Sequence, residues 1–417
     1  MKNPQKCLLT ATLVLLLFAT LVLHVGGETS VKDLKRTIIL ISLDGFRYDY
    51  IEKYKPETID RLAREGVRAK WMIPAFPTKT FPNHYTIATG LYPEDHGIIE
   101  NNIYDFGVVF SLGKREEVRQ SRWWLGEPIW VTAEKQGVKA GAFFFPGTEA
   151  EIAGTRPTFW REYDGKVPNE ERVDAVLKWL DLPRDQRPRI FTLYFSDVDD
   201  AGHSFGPDAP QTRDAVLKVD KIIRRLVDGL TKRNIHKNVN LIIISDHGMA
   251  AVDQRNAVVM DRYLNSPVID RVLTTGEIWQ IFPKAEQLEN AMQGLKLIEH
   301  ATCWRKSEIP ARLRYQDSPR IAPIVCSAEE GWFMTNRERY EVQKKRTDFD
   351  RIRGAHGYDN RYQSMQALFV AHGPAFKKGY VAEPFENVHV YELMCEILGL
   401  KPAKNDGDLR RVKRMLR

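Results

Sequence analysis

Four cysteines in 417 residues are too few for a disulfide scaffold. Cys7 lies in an N-terminal leader, and only Cys303, Cys326 and Cys395 follow it. Three cysteines allow one disulfide at most and leave one thiol free, and their spacing fits no zinc finger. Asn-x-Ser/Thr acceptors are absent, and with so little cysteine the chain suits a bacterial envelope protein better than an animal ectodomain. Biased segments are missing too. The 27 Gly and 22 Pro are scattered and 43% of the residues are hydrophobic, which excludes collagen, low complexity and disorder. Nor does one sign of charge dominate. The 62 basic and 55 acidic residues leave +7, and two of those charges, Lys2 and Lys6, belong to the leader. The remainder is no nucleic-acid footprint, and no nucleic-acid partner is expected. The basic tail Leu409–Arg417 reads as a solvated end.

Only one apolar run is long. Leu8 to Leu23 carries no charge, follows Lys2 and Lys6, and precedes the small residues Val25 and Gly27. Residues 1–27 therefore read as a cleavable secretory signal, with cleavage before Glu28. The alternative is an uncleaved helix anchoring the protein in the membrane. The body, residues 28–417, has no other run able to span a bilayer and is expected to be soluble, secreted or periplasmic.

Five short apolar runs predict buried strands: Thr37–Leu43, Ala142–Phe145, Ile190–Phe195, Asn240–Ser245 and Gln366–Ala371. Helical patterns lie between and beside them at Glu57–Glu65, Asp174–Leu182, Ala215–Leu230 and His389–Leu398. The alternation predicts an α/β fold with a mostly parallel sheet sandwiched by helices. Residues 253–350 are the least regular part and read as an inserted small subdomain within one catalytic domain.

In open α/β sheets, ligands gather beyond the carboxyl ends of the strands. Here those ends read Leu43-Asp44-Gly45, Asp197-Val198-Asp199-Asp200-Ala201-Gly202-His203 and Ser245-Asp246-His247-Gly248, and Gly354-Ala355-His356-Gly357 follows the insertion. One Asp-Gly turn alone is ordinary turn chemistry. Three Asp and three His gathered from separate strand ends would repel one another unless cations neutralised them. Carboxylate with imidazole suits Zn²⁺ or a similar divalent ion, and six ligands are about right for two metals. A hydroxyl stands apart in Pro77-Thr78-Lys79-Thr80-Phe81-Pro82-Asn83-His84-Tyr85. Thr80 reads both as a helix N-cap and as an exposed nucleophile, placed where backbone N–H groups welcome an anion.

These stretches, with Ala88-Thr89-Gly90-Leu91-Tyr92-Pro93, Gly126-Glu127-Pro128-Ile129-Trp130 and Gly373-Pro374-Ala375-Phe376, resemble the nucleotide pyrophosphatase/phosphodiesterase family of the alkaline phosphatase superfamily. The likeness runs from residue 43 to about residue 406, in the family's order. It implies two Zn²⁺ ions, one held by Asp199, His203 and His356, the other by Asp44, Asp246 and His247 with the Thr80 oxygen. It implies catalysis by Thr80 through a covalent phosphothreonine, with Asn101 binding the developing oxyanion. It also implies a slot for a nucleotide base lined by Phe81, Tyr163 and Tyr194. The substrate expected is a small nucleotide phosphodiester or anhydride. The alternatives are a choline- or glycerol-bearing phosphodiester, or a non-catalytic zinc-bearing binding protein.

Overall fold

A strand can be apolar on every residue only where both its faces are covered. In the computed structural model, which describes residue 34 and residues 36–105, 107–264 and 266–417, the apolar runs lie in such a setting. The main sheet contains β1 (Ile38–Leu43), β2 (Val67–Ala69), β3 (Ala140–Phe143), β4 (Phe159–Arg161), β5 (Ile190–Phe195), β6 (Asn240–Ile244), β7 (Phe369–His372) and β8 (Tyr380–Ala382). Their order across the sheet is β8-β2-β7-β6-β1-β5-β3-β4. Only β7 runs against its neighbours; the other pairings are parallel. Along β1, Ile38 and Leu40 enter one apolar cluster while Ile39, Ile41 and Leu43 enter the cluster on the opposite face. The leader assigned to residues 1–27 lies outside the described residues, and no helix among those described is long and apolar enough to cross a membrane.

The helices that cover the sheet follow the sequence patterns, with shifted ends, except the one over Asp197–Phe205, which the sequence presented as a turn. They are α1 (Glu57–Glu65), α2 (Thr80–Thr89), α3 (Asn169–Leu180), α4 (Asp197–Phe205), α5 (Pro210–Lys232) and α6 (Val390–Leu398). Helix α5 extends past the predicted Ala215–Leu230 because Pro210 opens it, a position where a missing N–H costs nothing. The predicted strand Ala142–Phe145 ends earlier, at Phe143, because Phe144 turns into the left-handed region at φ 60°. The tail is less solvated than its charge suggests. Val412 and Met415, three residues apart, are buried while Arg410, Arg411, Lys413 and Arg414 face outward.

The chain leaves the main body through Ala250–Asp253 and returns through Ile352–Ala355, and these two strands pair antiparallel. Between them lies a four-stranded antiparallel sheet in the order Ile269–Thr274, Ile278–Pro283, Ile324–Ala328, Ala301–Arg305. It has its own apolar cluster around Trp279, Ile281, Met292 and Ile324. Cys303 and Cys326 face each other across two of its strands and form a disulfide; Cys395 stays a buried thiol.

Two buried polar groups hold the elements around the strand ends. Helix α1 has Pro56 at its N-cap and no side-chain cap of its own. The Asp220 carboxylate of α5 supplies one from outside, accepting the N–H groups of Thr58 at 3.1 Å and Ile59 at 2.8 Å. Asp220→Ala is expected to cost about 2 kcal/mol of stability, read by urea unfolding, with kcat unchanged. His96 orients the segment that leads to Asn101. The Ile98 N–H donates to its Nδ1 at 3.1 Å, so the ring proton sits on Nε2, facing the Thr86 hydroxyl at 3.0 Å. Burial lowers its pKa to about 3. The folded protein thus takes up this proton less readily than the unfolded chain, and stability is lost as pH falls from about 6.5 toward 3. His96→Asn keeps an acceptor near the Nδ1 position but cannot titrate. Between pH 6 and 4 it should show a shallower decline in unfolding free energy than wild type, by about 1.4 kcal/mol per pH unit.

Candidate metal centre and active site

Asp44 immediately follows β1, Asp246 and His247 follow β6, and Asp199 and His203 lie one turn apart on α4, which follows β5. His356 follows the strand that closes the insertion. All six therefore meet at one end of the sheet. Gly45 permits the approach: its φ is +66°, and a Cβ there would lie 3.0 Å from Asp199.

The first group is Asp199, His203 and His356. Asp199 Oδ1 lies 3.5 Å from His203 Nε2 and 3.6 Å from His356 Nε2, and the two Nε2 atoms are 3.1 Å apart. Each imidazole is turned by a backbone carbonyl, Gly354 at 2.9 Å for His203 Nδ1 and Thr78 at 2.8 Å for His356 Nδ1. The carbonyls require the proton on Nδ1, which leaves both Nε2 lone pairs aimed at the same point. Burial, with His247, Lys79 and His203 nearby, holds His356 well below the usual imidazole range, in the neutral form a metal needs.

In the second group, His247 Nε2 lies 3.0 Å from Asp246 Oδ2 and 3.4 Å from Asp44 Oδ1. The Thr80 hydroxyl lies 3.4 Å from the same nitrogen. The two groups adjoin, since the rings of His247 and His356 stack with centroids 3.5 Å apart. Among the described residues, one buried oxygen on each acid of the cluster lacks any hydrogen-bond donor: Asp44 Oδ1, Asp199 Oδ1 and Asp246 Oδ2. Burial and the charges of Asp246 and Asp199 push Asp44 well above the carboxylate range. For a protein without cations this is a costly cluster. Divalent ions would satisfy the orphan oxygens and the converging lone pairs together, and the donor set of carboxylate and imidazole without thiolate fits zinc or a similar ion. His84 also lies close to Asp44 and Asp246. Its Nδ1 faces the Thr80 carbonyl at 2.8 Å and Asp246 Oδ2 at 3.3 Å, and its Nε2 faces the Ser42 hydroxyl at 2.7 Å. Both of its nitrogens are thus engaged by protein groups.

Thr80 is the first residue of α2. The loop before it is tied down by Asn83, whose amide donates to the carbonyls of Ala75, Pro77 and Lys79. Thr78 adds another tie, donating to the Tyr358 carbonyl and accepting the Gly357 N–H. Asn101 sits beside Thr80: its Oδ1 accepts the Phe81 N–H at 3.0 Å, which fixes the amide and leaves Nδ2 to donate elsewhere. A cavity of about 410 Å³ opens next to Thr80, Asp44 and Asp199 and is lined in part by Phe81, Arg115, Phe145, Tyr163 and Tyr194. Phe81 packs on Phe110 and Trp124, and Tyr163 lies under the Arg115 guanidinium. Tyr194 is 9% exposed and donates its hydroxyl to Asp44 Oδ2 at 2.5 Å, so it holds an acidic residue of the cluster as well as lining the cavity. The bracing roles of Ser42, Thr78, Asn83 and the Tyr194 hydroxyl were not anticipated from sequence. Their only signal there is a polar group inside an otherwise apolar or motif-dense run.

With that geometry in view, the chain can be set beside known proteins. The family model described as type I phosphodiesterase / nucleotide pyrophosphatase matches residues 38–359. A venom phosphodiesterase of Crotalus durissus collilineatus is 40% identical over 384 residues, covering 89% of this chain and 45% of the relative. Human ectonucleotide pyrophosphatase/phosphodiesterase family member 1 is 41% identical over 385 residues, covering 88% and 40%. The chain thus spans less than half the length of these relatives. Among solved structures, murine ectonucleotide pyrophosphatase / phosphodiesterase 5 superposes with a TM-score of 0.85 at 32% identity, covering 91% of this chain and 100% of that one. An inactive threonine-to-alanine form of that protein, solved in complex with AMP, superposes with a TM-score of 0.84. The alkaline phosphatase-like α/β architecture expected from sequence is therefore the observed one, and the chain belongs to the type I phosphodiesterase/nucleotide pyrophosphatase family.

Proposed function

We propose that this protein is an exported, metal-dependent phosphodiesterase and pyrophosphatase that cleaves nucleotide phosphodiester or phosphoanhydride bonds through a phosphothreonine at Thr80. The observation that carries the reading is the position of the Thr80 hydroxyl. It stands at a helix N-terminus, beside the two Asp/His groups, at the mouth of an aromatic cavity. The relatives' names point the same way, and so does the AMP complex of the murine neighbour. Asp199, His203 and His356 would hold one Zn²⁺, and Asp44, Asp246 and His247 the other, with the Thr80 oxygen completing it. Such ions supply Lewis-acid stabilisation of phosphoryl charge and ease loss of the threonine proton.

The chain's own residues do the rest. Thr80 Oγ forms a bond to phosphorus as the bond to the leaving alcohol or phosphate breaks, and water later cleaves the threonine ester. Asn101, its amide fixed by the Phe81 N–H, donates Nδ2 to the oxygen on which charge develops. The helix α2 N-terminus favours the same anion. Phe81 and Tyr163 offer faces to a base. A choline substrate is less well served, because the positive Arg115 guanidinium beside the Tyr163 ring would repel a quaternary ammonium. The basic and apolar pattern of residues 1–27 supports export, to a secreted or periplasmic location if the leader is cleaved and a membrane-anchored one if it is not.

Hydrolysis of p-nitrophenyl thymidine 5′-monophosphate, p-nitrophenyl phosphate and p-nitrophenyl phosphorylcholine, each with zinc and after chelation, tests the reading. Fast release from the nucleotide diester that chelation abolishes and zinc restores is expected. Preference for the monoester would overturn the diesterase assignment, and preference for phosphorylcholine would move the substrate to lipid head groups. Thr80→Ala should lower kcat by about 10³-fold or more while still binding two equivalents of zinc. Full activity in that variant would exclude the covalent route.

A further inference from the structure

Thr80 and Asn101 come from separate segments, yet the residues beside them meet one common partner outside the reacting groups. That partner is the turn from Thr274 to Glu277 in the insertion, which carries Gly276 at φ +94°. Glu277 Oε2 meets the Lys79 ammonium at 2.5 Å, and Lys79 directly precedes Thr80. The same ammonium donates to the carbonyl of His356 at 2.6 Å. The backbone passes so close that a Cβ on Gly357 would lie 2.3 Å from Lys79 Cε. Two residues back in the turn, the Thr275 hydroxyl donates to Glu100 Oε1 at 3.0 Å, and Glu100 directly precedes Asn101. The second Glu100 oxygen accepts the Asn102 N–H at 3.0 Å, which closes the backbone around Asn101. The Asn102 amide reaches back to the Thr274 carbonyl at 3.5 Å.

Lys79, Glu100 and Glu277 are 3%, 2% and 7% exposed. Burying three charged side chains offers little stability in itself, since a well-packed apolar set often does as well or better. What the arrangement does provide is direction: charge-assisted bonds fix distance and angle where apolar contacts slide. Thr80 and Asn101 must both reach one phosphoryl group, and a displacement of about 1 Å there can cost roughly 100-fold in rate.

We propose that the 274–277 turn is a positioning clamp. Through Lys79 and Glu100 it fixes Thr80 and Asn101 relative to each other and to His356, so that turnover depends on how the insertion is seated. The inference rests on the functional reading of Thr80 and Asn101 given above. Its test separates positioning from mere support of the fold. In the full chain at saturating zinc, Lys79→Met/Glu277→Met replaces the ion pair by apolar side chains of similar volume, and Thr275→Val removes one hydroxyl and no charge.

With p-nitrophenyl thymidine 5′-monophosphate, the double variant is expected to lose about 30- to 100-fold in kcat with KM changed less than about threefold. Its melting temperature should stay within about 3 °C of wild type. Thr275→Val should lose about fivefold in kcat with the same constancy of KM. Wild-type kcat in either folded variant overturns the clamp. So does a loss of kcat that merely tracks a fall in melting temperature. Should the double variant not fold, Thr275→Val decides. Thr80→Ala, run beside them, distinguishes the two levels: full activity there sinks the functional reading and the clamp with it. An inactive Thr80→Ala beside a fully active double variant sinks the clamp alone.

Discussion

The structure is organised around an electrostatic conflict at the carboxyl ends of β1, β5 and β6. Asp44, Asp199 and Asp246 each turn a buried oxygen without a donor toward a common region, and three imidazoles turn lone pairs into it. No packing of side chains relieves that repulsion; cations would. The cost of assembling the cluster is offset by a large scaffold, a sheet covered on both faces whose apolar runs leave no slack at the strand ends. Around it, neutral groups are fixed so that nothing competes for the ligand atoms. The Thr78 and Gly354 carbonyls hold two histidine Nδ1 atoms, and the Tyr194 hydroxyl and the Gly45 N–H each take the second oxygen of an aspartate.

A second layer of constraint bears on the hydroxyl and the amide that face this cluster. The loop before Thr80 has little freedom, because Asn83 gathers three carbonyls and Thr78 bridges to the segment around His356. Asn101 is fixed from the helix by the Phe81 N–H and from behind by His96, whose ring orders the backbone at Ile98. The insertion then contributes from the far side through Glu277 and Thr275. Its four-stranded sheet is distant in sequence from the Thr80 loop and adjacent to it in space. A segment that reads as polar excursion is thereby part of the wall behind the site.

Much of this was legible in the chain itself, for a physical reason. Strands buried on both faces must be apolar throughout, so β1, β5 and β6 announce themselves, and an Asp or His directly after such a run has only one place to go. The helices with a single buried face were legible through their spacing, although Pro210 lengthened α5 and the left-handed turn at Phe144 shortened β3. The insertion was the least readable part because several of its strands are half-exposed, as at Ile269–Thr274, or very short, as at Phe333–Thr335, a pattern that turns and loops share. The tail misled in the opposite sense: five basic residues concealed the buried pair Val412 and Met415.

The sequence by itself determined the chemical inventory: three carboxylates, three imidazoles, a threonine in a Pro-bounded turn and an asparagine after His-Gly-Ile-Ile-Glu. It determined the sheet on which they sit, since apolar periodicity is a local property of the chain. Tertiary structure alone decided which oxygen of each aspartate is left without a donor and which nitrogen of each histidine carries the proton. It also decided that Tyr194 serves Asp44 while lining the cavity, that His84 bridges Ser42 and the Thr80 carbonyl, and that Cys303 pairs with Cys326. Those outcomes depend on contacts between residues tens to hundreds of positions apart, set by strand order and register, which no local pattern encodes.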